Sequence, residues 1–248
     1  MLPALPTLQA LSGDPPQADG YLIDLDGTLL SGSVLLPGAI SFLSSLSAPF
    51  VILSNDSEHV PQEIAGIFGK SGLLLGPRDV ILAGAVAIET IAERSPGASV
   101  MLIASPALAV LARKLGLQLD NSRPDIVLLA RDRAFSFDKL AAAARAVQRG
   151  ASVVLACPDT SHPGPGGEPV PEVGALAAAL FACVGPVPYE VIGKPEPTLF
   201  RIGCERLGRR PSQCLMIGDN PLTDGVGASR AGIAFCQVAR TSEDAVAS

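Results

Sequence analysis

The chain has no tryptophan, two tyrosines and two histidines in 248 residues. Broad aromatic platforms for stacking nucleobases are therefore scarce. With only His59 and His162 available, a histidine-rich zinc site is not expected. No apolar run approaches the ~20 residues needed to span a bilayer. The start, Met1–Ala10, lacks the basic and apolar segments of a leader peptide. Cys157, Cys183, Cys204, Cys214 and Cys236 are odd in number and form no Cys-x-x-Cys pair, so reduced thiols and a cytoplasmic location are expected. Basic residues are outnumbered, 18 Lys and Arg against 24 Asp and Glu, for a formal net charge of −6. That balance argues against a nucleic-acid backbone as partner, and no membrane partner is expected.

What is present is apolar and ordered. A hydrophobic content of 48% suffices for a full core and excludes a disordered chain. Met1–Ala18, with four prolines, reads as an irregular lead-in. Beyond it, short apolar runs alternate with helical patterns, the signature of βαβ units. Strands are predicted at Tyr21–Leu25, Phe50–Leu53, Val100–Ile103, Ile126–Leu129, Ser152–Leu155, Cys214–Ile217 and Ile233–Cys236. Helices are predicted at Pro37–Leu46, Pro61–Phe68, Ala85–Glu93, Pro106–Leu115, Ser136–Gln148, Glu172–Phe181, Pro195–Leu207 and Pro221–Ala231. Several open on proline, whose missing N–H costs nothing in the first turn. Cys157–Pro171, with five prolines and three glycines, is the one long stretch without a period.

Four elements carry chemistry, and they occur in a telling order. Asp24-Leu25-Asp26-Gly27-Thr28 follows an apolar run. Residues i and i+2 of a strand share a face, so both carboxylates are expected together at a strand's C-terminal end. Their repulsion would be relieved by a divalent cation. Val51-Ile52-Leu53-Ser54-Asn55-Asp56 is a second strand ending in a hydroxyl. Gly193-Lys194-Pro195 sets a lysine ahead of a helix. Leu215-Met216-Ile217-Gly218-Asp219-Asn220-Pro221-Leu222-Thr223-Asp224 delivers two more acids. Singly, each is a turn, a cap or a solvated charge. Together they supply the anion, cation and hydroxyl groups of a phosphoryl-transfer site.

In these four elements the chain resembles the haloacid dehalogenase-like (HAD) superfamily of aspartate-nucleophile phosphatases. The stretch Ser57–Gly193 between the second and third elements is similar to the large α/β cap of the class containing nucleotide, pyridoxal phosphate and p-nitrophenyl phosphatases. Local matches are Pro124-Asp125-Ile126-Val127, Gly150-Ala151 and Pro158-Asp159-Thr160 leading to Gly174-Ala175-Leu176. The resemblance implies an α/β fold, a Rossmann-like HAD core with a parallel sheet plus an inserted α/β cap domain. Its expected boundaries are core at 1–76, cap at 77–188 and core again at 189–248. It implies an enzyme, a Mg²⁺-dependent hydrolase of small phosphorylated metabolites acting through a phosphoaspartate. A catalytically silent protein that binds a metabolite or partner is the alternative.

By resemblance Asp24 is the nucleophile and Asp26 the acid and base. Mg²⁺ is held by Asp24, the carbonyl of Asp26 and Asp219, with Asp224 in support. Ser54, Asn55 and Lys194 take the phosphoryl group. A homodimer through the cap is also implied. Two departures stand out. The usual Thr-Asn-Asn is here Ser54-Asn55-Asp56, where Asp56 either selects a substrate with a positive or hydroxyl-rich part or simply caps a helix. The usual Asn-Pro-Asp is Cys157-Pro158-Asp159, which loses an amide. His162 and Glu168 on the following loop either read the leaving group or face solvent.

Overall fold

The computed structural model describes residues 5–164 and 168–239. In chain order it has α1 (Leu8–Leu11), β1 (Gly20–Asp24), β2 (Leu30–Ser31), β3 (Val34–Leu35), α2 (Ala39–Ser45), β4 (Phe50–Ser54) and α3 (Pro61–Lys70). Next come β5 (Val80–Leu82), α4 (Ala83–Arg94), β6 (Ser99–Ile103), α5 (Pro106–Lys114), β7 (Gln118–Leu119), β8 (Ile126–Leu129), α6 (Phe137–Gln148) and β9 (Ser152–Leu155). The last third holds β10 (Ser161–Pro163), β11 (Pro169–Pro171), α7 (Val173–Val184), β12 (Tyr189–Val191), α8 (Thr198–Leu207), β13 (Cys214–Gly218), α9 (Val226–Ala231) and β14 (Ala234–Gln237).

The chain divides into two compact units. The first comprises Met1–Ser54, Pro61–Ile81 and Lys194–Ser248, and the second Asn55–Val60 and Leu82–Gly193. Each is built on its own five-stranded sheet. The first has the order β14-β13-β1-β4-β5 and the second β12-β9-β8-β6-β7. β1 runs parallel to β13 and β4, and β13 to β14, while β12, β9, β8, β6 and β7 run parallel to their neighbours. Parallel strands covered on both faces read as continuous apolar runs, and β1 is buried at every residue. β1 lies between β13 and β4, with Ile23 opposite both Ile217 and Ile52. In the first unit α8 packs on β4 and β1. In the second, α6 and α7 pack together and both meet β8, while α4 packs on α5.

Local chemistry accounts for several ends. Ser105 and Ser136 cap α5 and α6 by accepting from the N–H groups of Leu108 and Lys139. α8 stops at Gly208, whose φ of 63° is left-handed.

Four expectations need correction. The lead-in is not wholly irregular, because Thr7 caps the short helix α1. The second expected boundary moves, because Tyr189–Val191 pairs with β9 and so belongs to the second sheet. The first boundary moves too: β5 joins the first sheet, so the division falls after Ile81, and Asn55–Val60 sides with the second unit. Finally, Cys157–Pro171 contains an antiparallel hairpin, with His162 opposite Val170 and Pro163 opposite Pro169. A two-stranded ribbon has outward edges on both strands and tolerates prolines that a central strand would not. Gly166 and Gly167 lie outside the described residues. Among the described residues no helix is long and apolar enough to cross a membrane.

Two helical glycines make a test of the core packing. A Cβ at Gly66 of α3 would meet nothing within 4 Å, whereas one at Gly227 of α9 would collide with Cε2 and Cζ of Phe200. Alanine is favoured over glycine inside a helix by about 0.5–1 kcal/mol. Forcing a methyl into a packed core costs about 1–3 kcal/mol. Gly66→Ala should therefore raise the urea midpoint and Gly227→Ala lower it. A stabilised Gly227→Ala would show that Phe200 turns aside at little cost.

Candidate active site

The first unit gathers its polar residues at the C-terminal ends of three adjacent strands. Asp24 ends β1, Ser54 ends β4, and Asp219 follows β13. Such an edge is where open parallel sheets bind ligands. Lys194 is buried among them at 2% exposure. Its Nζ stands 2.5 Å from Asp24 Oδ1 and 2.7 Å from Asp224 Oδ1, and it reaches the carbonyl of Leu53 at 3.5 Å. Burial alone would lower the pKa of this ammonium. The charges of Asp224 and Asp24 outweigh burial and hold it above its ordinary value.

The carboxylates are in excess. One oxygen from each of Asp24, Asp219 and Asp224 lies within 4.8 Å of the other two, and all three residues are buried. Burial, and then the charge of Asp24, push the Asp224 carboxyl up to about 7 against the pull of Lys194. With all three ionised, the carboxylates facing one ammonium leave two negative charges uncompensated, the charge of one divalent ion. The donors are all carboxylate oxygens, which suit a hard cation such as Mg²⁺ or Ca²⁺ rather than zinc.

Asp224 reaches this cluster by a wide turn, Pro221–Gly225, that precedes α9. The expected helix from Pro221 thus opens differently. Asn220 accepts from the Leu222 N–H, and the Asp224 N–H returns to the Asn220 carbonyl at 2.9 Å. Asp224 Oδ2 accepts from the Asn220 N–H at 3.2 Å. Gly218 makes room for this, because a Cβ there would overlap Asp224 Oδ2 and stand 3.1 Å from the Cβ of Asp24.

Asp26 is not a second position of the same strand face. β1 ends at Asp24, and Asp26 sits in the loop beyond it, exposed where Asp24 is buried. Gly27, with φ of 85°, turns the chain. Ser54 Oγ donates to Asp26 Oδ2 at 2.8 Å, so the end of β4 meets the loop after β1.

Two residues here escaped the sequence reading. The hydroxyl of buried Thr28 donates to Asp24 Oδ2 at 2.9 Å and lies 3.5 Å from Asp219 Oδ1. The N–H groups of Thr28, Leu29 and Leu30 all return to the Leu25 carbonyl, a turn that folds Thr28 back over Asp24. Gly218 is the other. Thr28 was visible as the hydroxyl closing the Asp-x-Asp-Gly-Thr run, whereas nothing in the sequence marks Gly218.

The remaining candidates lie in the second unit. Asn55 Nδ2 donates to Asp159 Oδ2 at 2.9 Å, within the Cys157-Pro158-Asp159 segment. Asp56 Oδ1 accepts from the N–H groups of Glu58 and His59, and its Oδ2 faces the His59 ring at 2.7 Å. Asp56 thus closes a local turn before α3. Burial opposes its charge, but the bonds and charge of His59 bring its pKa below the ordinary value. His162 Nδ1 stands 2.7 Å from Glu172 Oε1, which also faces Arg131 at 3.4 Å. Glu168 is exposed. The Cys157 thiol is raised well above its ordinary value by burial and then by the charges of Asp159 and Glu172, so it rests protonated and inert.

Known proteins resemble this chain along most of its length. A family model described as haloacid dehalogenase-like hydrolase matches residues 21–118, and a second, HAD-hydrolase-like, matches residues 191–247. An acid sugar phosphatase from Staphylococcus aureus is 32% identical over 212 residues, 84% of this chain and 81% of its own. A dihydroxyacetone phosphatase from Corynebacterium glutamicum is 29% identical over 216 residues, 86% of this chain and 78% of its own. Among solved structures, a glycerol phosphate phosphatase from Mycobacterium tuberculosis, in complex with calcium, superposes with a TM-score of 0.79 at 32% identity. The match covers 88% of this chain and 65% of that one.

The ion pairs set a stability test. Lys194→Met removes the ammonium between Asp24 and Asp224 while keeping most of the side-chain volume. Stranding buried charges in this way costs about 3–5 kcal/mol. Urea unfolding of the variant in chelator should show a loss of that size, and an unchanged midpoint would mean the pairs are not held in solution.

Proposed function

This chain belongs to the haloacid dehalogenase-like hydrolases and is a phosphatase, and on that premise we propose that it hydrolyses small phosphorylated metabolites with Mg²⁺ through a phosphoaspartate on Asp24. The observation that carries the proposal is the buried Lys194 ammonium held between Asp24 and Asp224 beside a cluster of three carboxylates.

In this reading Asp24 attacks phosphorus with one carboxylate oxygen. Lys194 and Thr28 restrain that carboxylate from opposite oxygens, limiting its rotation. Lys194 also offsets the negative charge that a carboxylate and a phosphate bring together. Asp26 gives its proton to the departing oxygen and takes one from the water that then cleaves the acyl phosphate. The Ser54 hydroxyl, now donated to Asp26, is the group we assign both to orienting that acid and to holding a phosphoryl oxygen.

The donor set fits Mg²⁺, which Asp24, Asp219 and the main-chain carbonyl of Asp26 would hold, with Asp224 in support. When bound, the ion supplies positive charge that lowers the repulsion between nucleophile and substrate. The names of the relatives, a sugar phosphatase and phosphatases of dihydroxyacetone and glycerol phosphates, favour short sugar or polyol phosphates as the substrate class. His162 and Asp56 are engaged inside the second unit, which supports positioning roles for both in preference to direct contact with substrate.

The test is phosphate release from a panel of short sugar and polyol phosphates. Activity should appear with Mg²⁺ and vanish with chelator. Asp24→Asn should abolish turnover while circular dichroism stays native, and Asp26→Asn should lower kcat by a factor on the order of 10²–10⁴. Turnover surviving in folded Asp24→Asn would remove the phosphoaspartate from the mechanism.

A further inference from the structure

A second reactive arrangement lies away from the site, at the other end of the same sheet. Cys204 stands on α8 and Cys214 opens β13, and their sulfurs are 3.7 Å apart. Both residues are buried, at 4% and 3% exposure. The turn joining them runs through the left-handed Gly208 and a short helical turn, Pro211–Gln213. This pair is unlike the other thiols. Cys157 is buried in the second unit, Cys183 is exposed on α7, and Cys236 on β14 is half-buried.

Two thiols at this distance are nearly in bonding range. A disulfide needs about 2.03–2.05 Å between sulfurs, so under 2 Å of approach closes it. A buried pair also needs a path for an oxidant, and the structure supplies one. Cys204 lines a cavity of about 600 Å³, together with Phe200, Arg209, Pro211, Ala231 and Ile233. A small hydroperoxide fits such a space many times over.

We propose that Cys204 and Cys214 form a reversible oxidation site, closed to an intramolecular disulfide by hydroperoxides that enter through this cavity. Cys204, the residue of the pair that lines the cavity, reacts first. Its thiolate attacks one peroxide oxygen, the O–O bond breaks, and the other oxygen leaves with a proton, giving a sulfenic acid. The Cys214 thiolate, its proton passed to the departing oxygen, attacks that sulfur. The S–O bond breaks and water leaves, giving the disulfide. The two thiols together lose two electrons and the peroxide gains them. Burial raises both thiols, Cys214 to about 12, so the reaction is slow beside that of a sensor cysteine and responds to sustained exposure.

The bond would tie the C-terminal half of α8 to the first residue of β13. Lys194 precedes α8, and Asp219 follows the far end of β13. The closed form therefore braces the two elements that bring the cation and one carboxylate to the site, from the end remote from it. Its effect is on persistence of the fold.

The experiment treats the full chain with hydrogen peroxide, blocks remaining thiols, and maps peptides by mass spectrometry. The expected result is a tryptic peptide containing Cys204 joined to the one containing Cys214, in a protein that stays monomeric on a non-reducing gel. The melting temperature should rise by about 5 °C or more and fall back with dithiothreitol. Cys204→Ser and Cys214→Ser should each lose the rise. Oxidation of Cys204 to sulfinic or sulfonic acid without a link, or links through Cys183 alone, would overturn the proposal. Because the linked peptide is read in the wild-type chain, a variant that folds poorly does not decide the outcome.

Discussion

The site depends on one arrangement of charge, an ammonium buried between two carboxylates. Taking such ions out of water costs several kcal/mol each, and only close pairing in a fixed geometry offsets that. Asp24, Lys194 and Asp224 are drawn from three widely separated parts of the chain, so the pairing can form only once β1 and β13 lie side by side. The sheet is therefore a precondition of the charge cluster. The fully buried Tyr21, Leu22 and Ile23 of β1 provide apolar drive that offsets the cost of bringing the charges in.

Neutralisation is nevertheless incomplete, and that incompleteness is informative. With one ammonium for three carboxylates, the first unit is assembled around an electrostatic deficit that either a shared proton or a divalent ion must meet. The surrounding small features serve the same end. Gly218 gives up a side chain so that Asp224 can approach. Thr28 holds the oxygen of Asp24 that Lys194 does not. The wide turn at Pro221–Gly225 aims Asp224 inward, where a regular helix start would present a different face.

The second unit enters the chain at positions adjoining the site residues. Ser54 is followed at once by Asn55, and Lys194 is preceded by Gly193, so no linker separates either from the inserted unit. Within that unit the two crossing points meet. A Cβ on Gly193 would stand 2.5 Å from Asn55 Oδ1 and 2.8 Å from the Ala156 carbonyl, a closeness only glycine permits. Asn55 is in turn bound to Asp159. The Cys157-Pro158-Asp159 segment, despite lacking the amide of the family pattern, thus keeps a polar tie to the residue that follows the strand-end serine.

Much of this was legible in the residues. The apolar runs at β1, β4 and β13, the acids and hydroxyl at their ends, and the lysine before α8 stand in the sequence in the order that the sheet brings together. Periodicity located α2 to α9, and prolines such as Pro61 and Pro106 marked where two of them begin. Short strands with weak patterns, β5, β7 and β12, were not legible, because two or three residues carry no period and their pairing partners lie far along the chain. The unit boundaries followed from those missed strands. The separation of Asp24 from Asp26 was also invisible, since whether a strand ends before or after a residue depends on what its neighbours offer to bond. Sequence by itself determined the chemical inventory and the fold class, because both rest on local residue types and their order. Only the tertiary structure decided which carboxylate pairs with Lys194, which glycine must be small, and that Cys204 meets Cys214, because contact between distant residues is set by sheet register and packing.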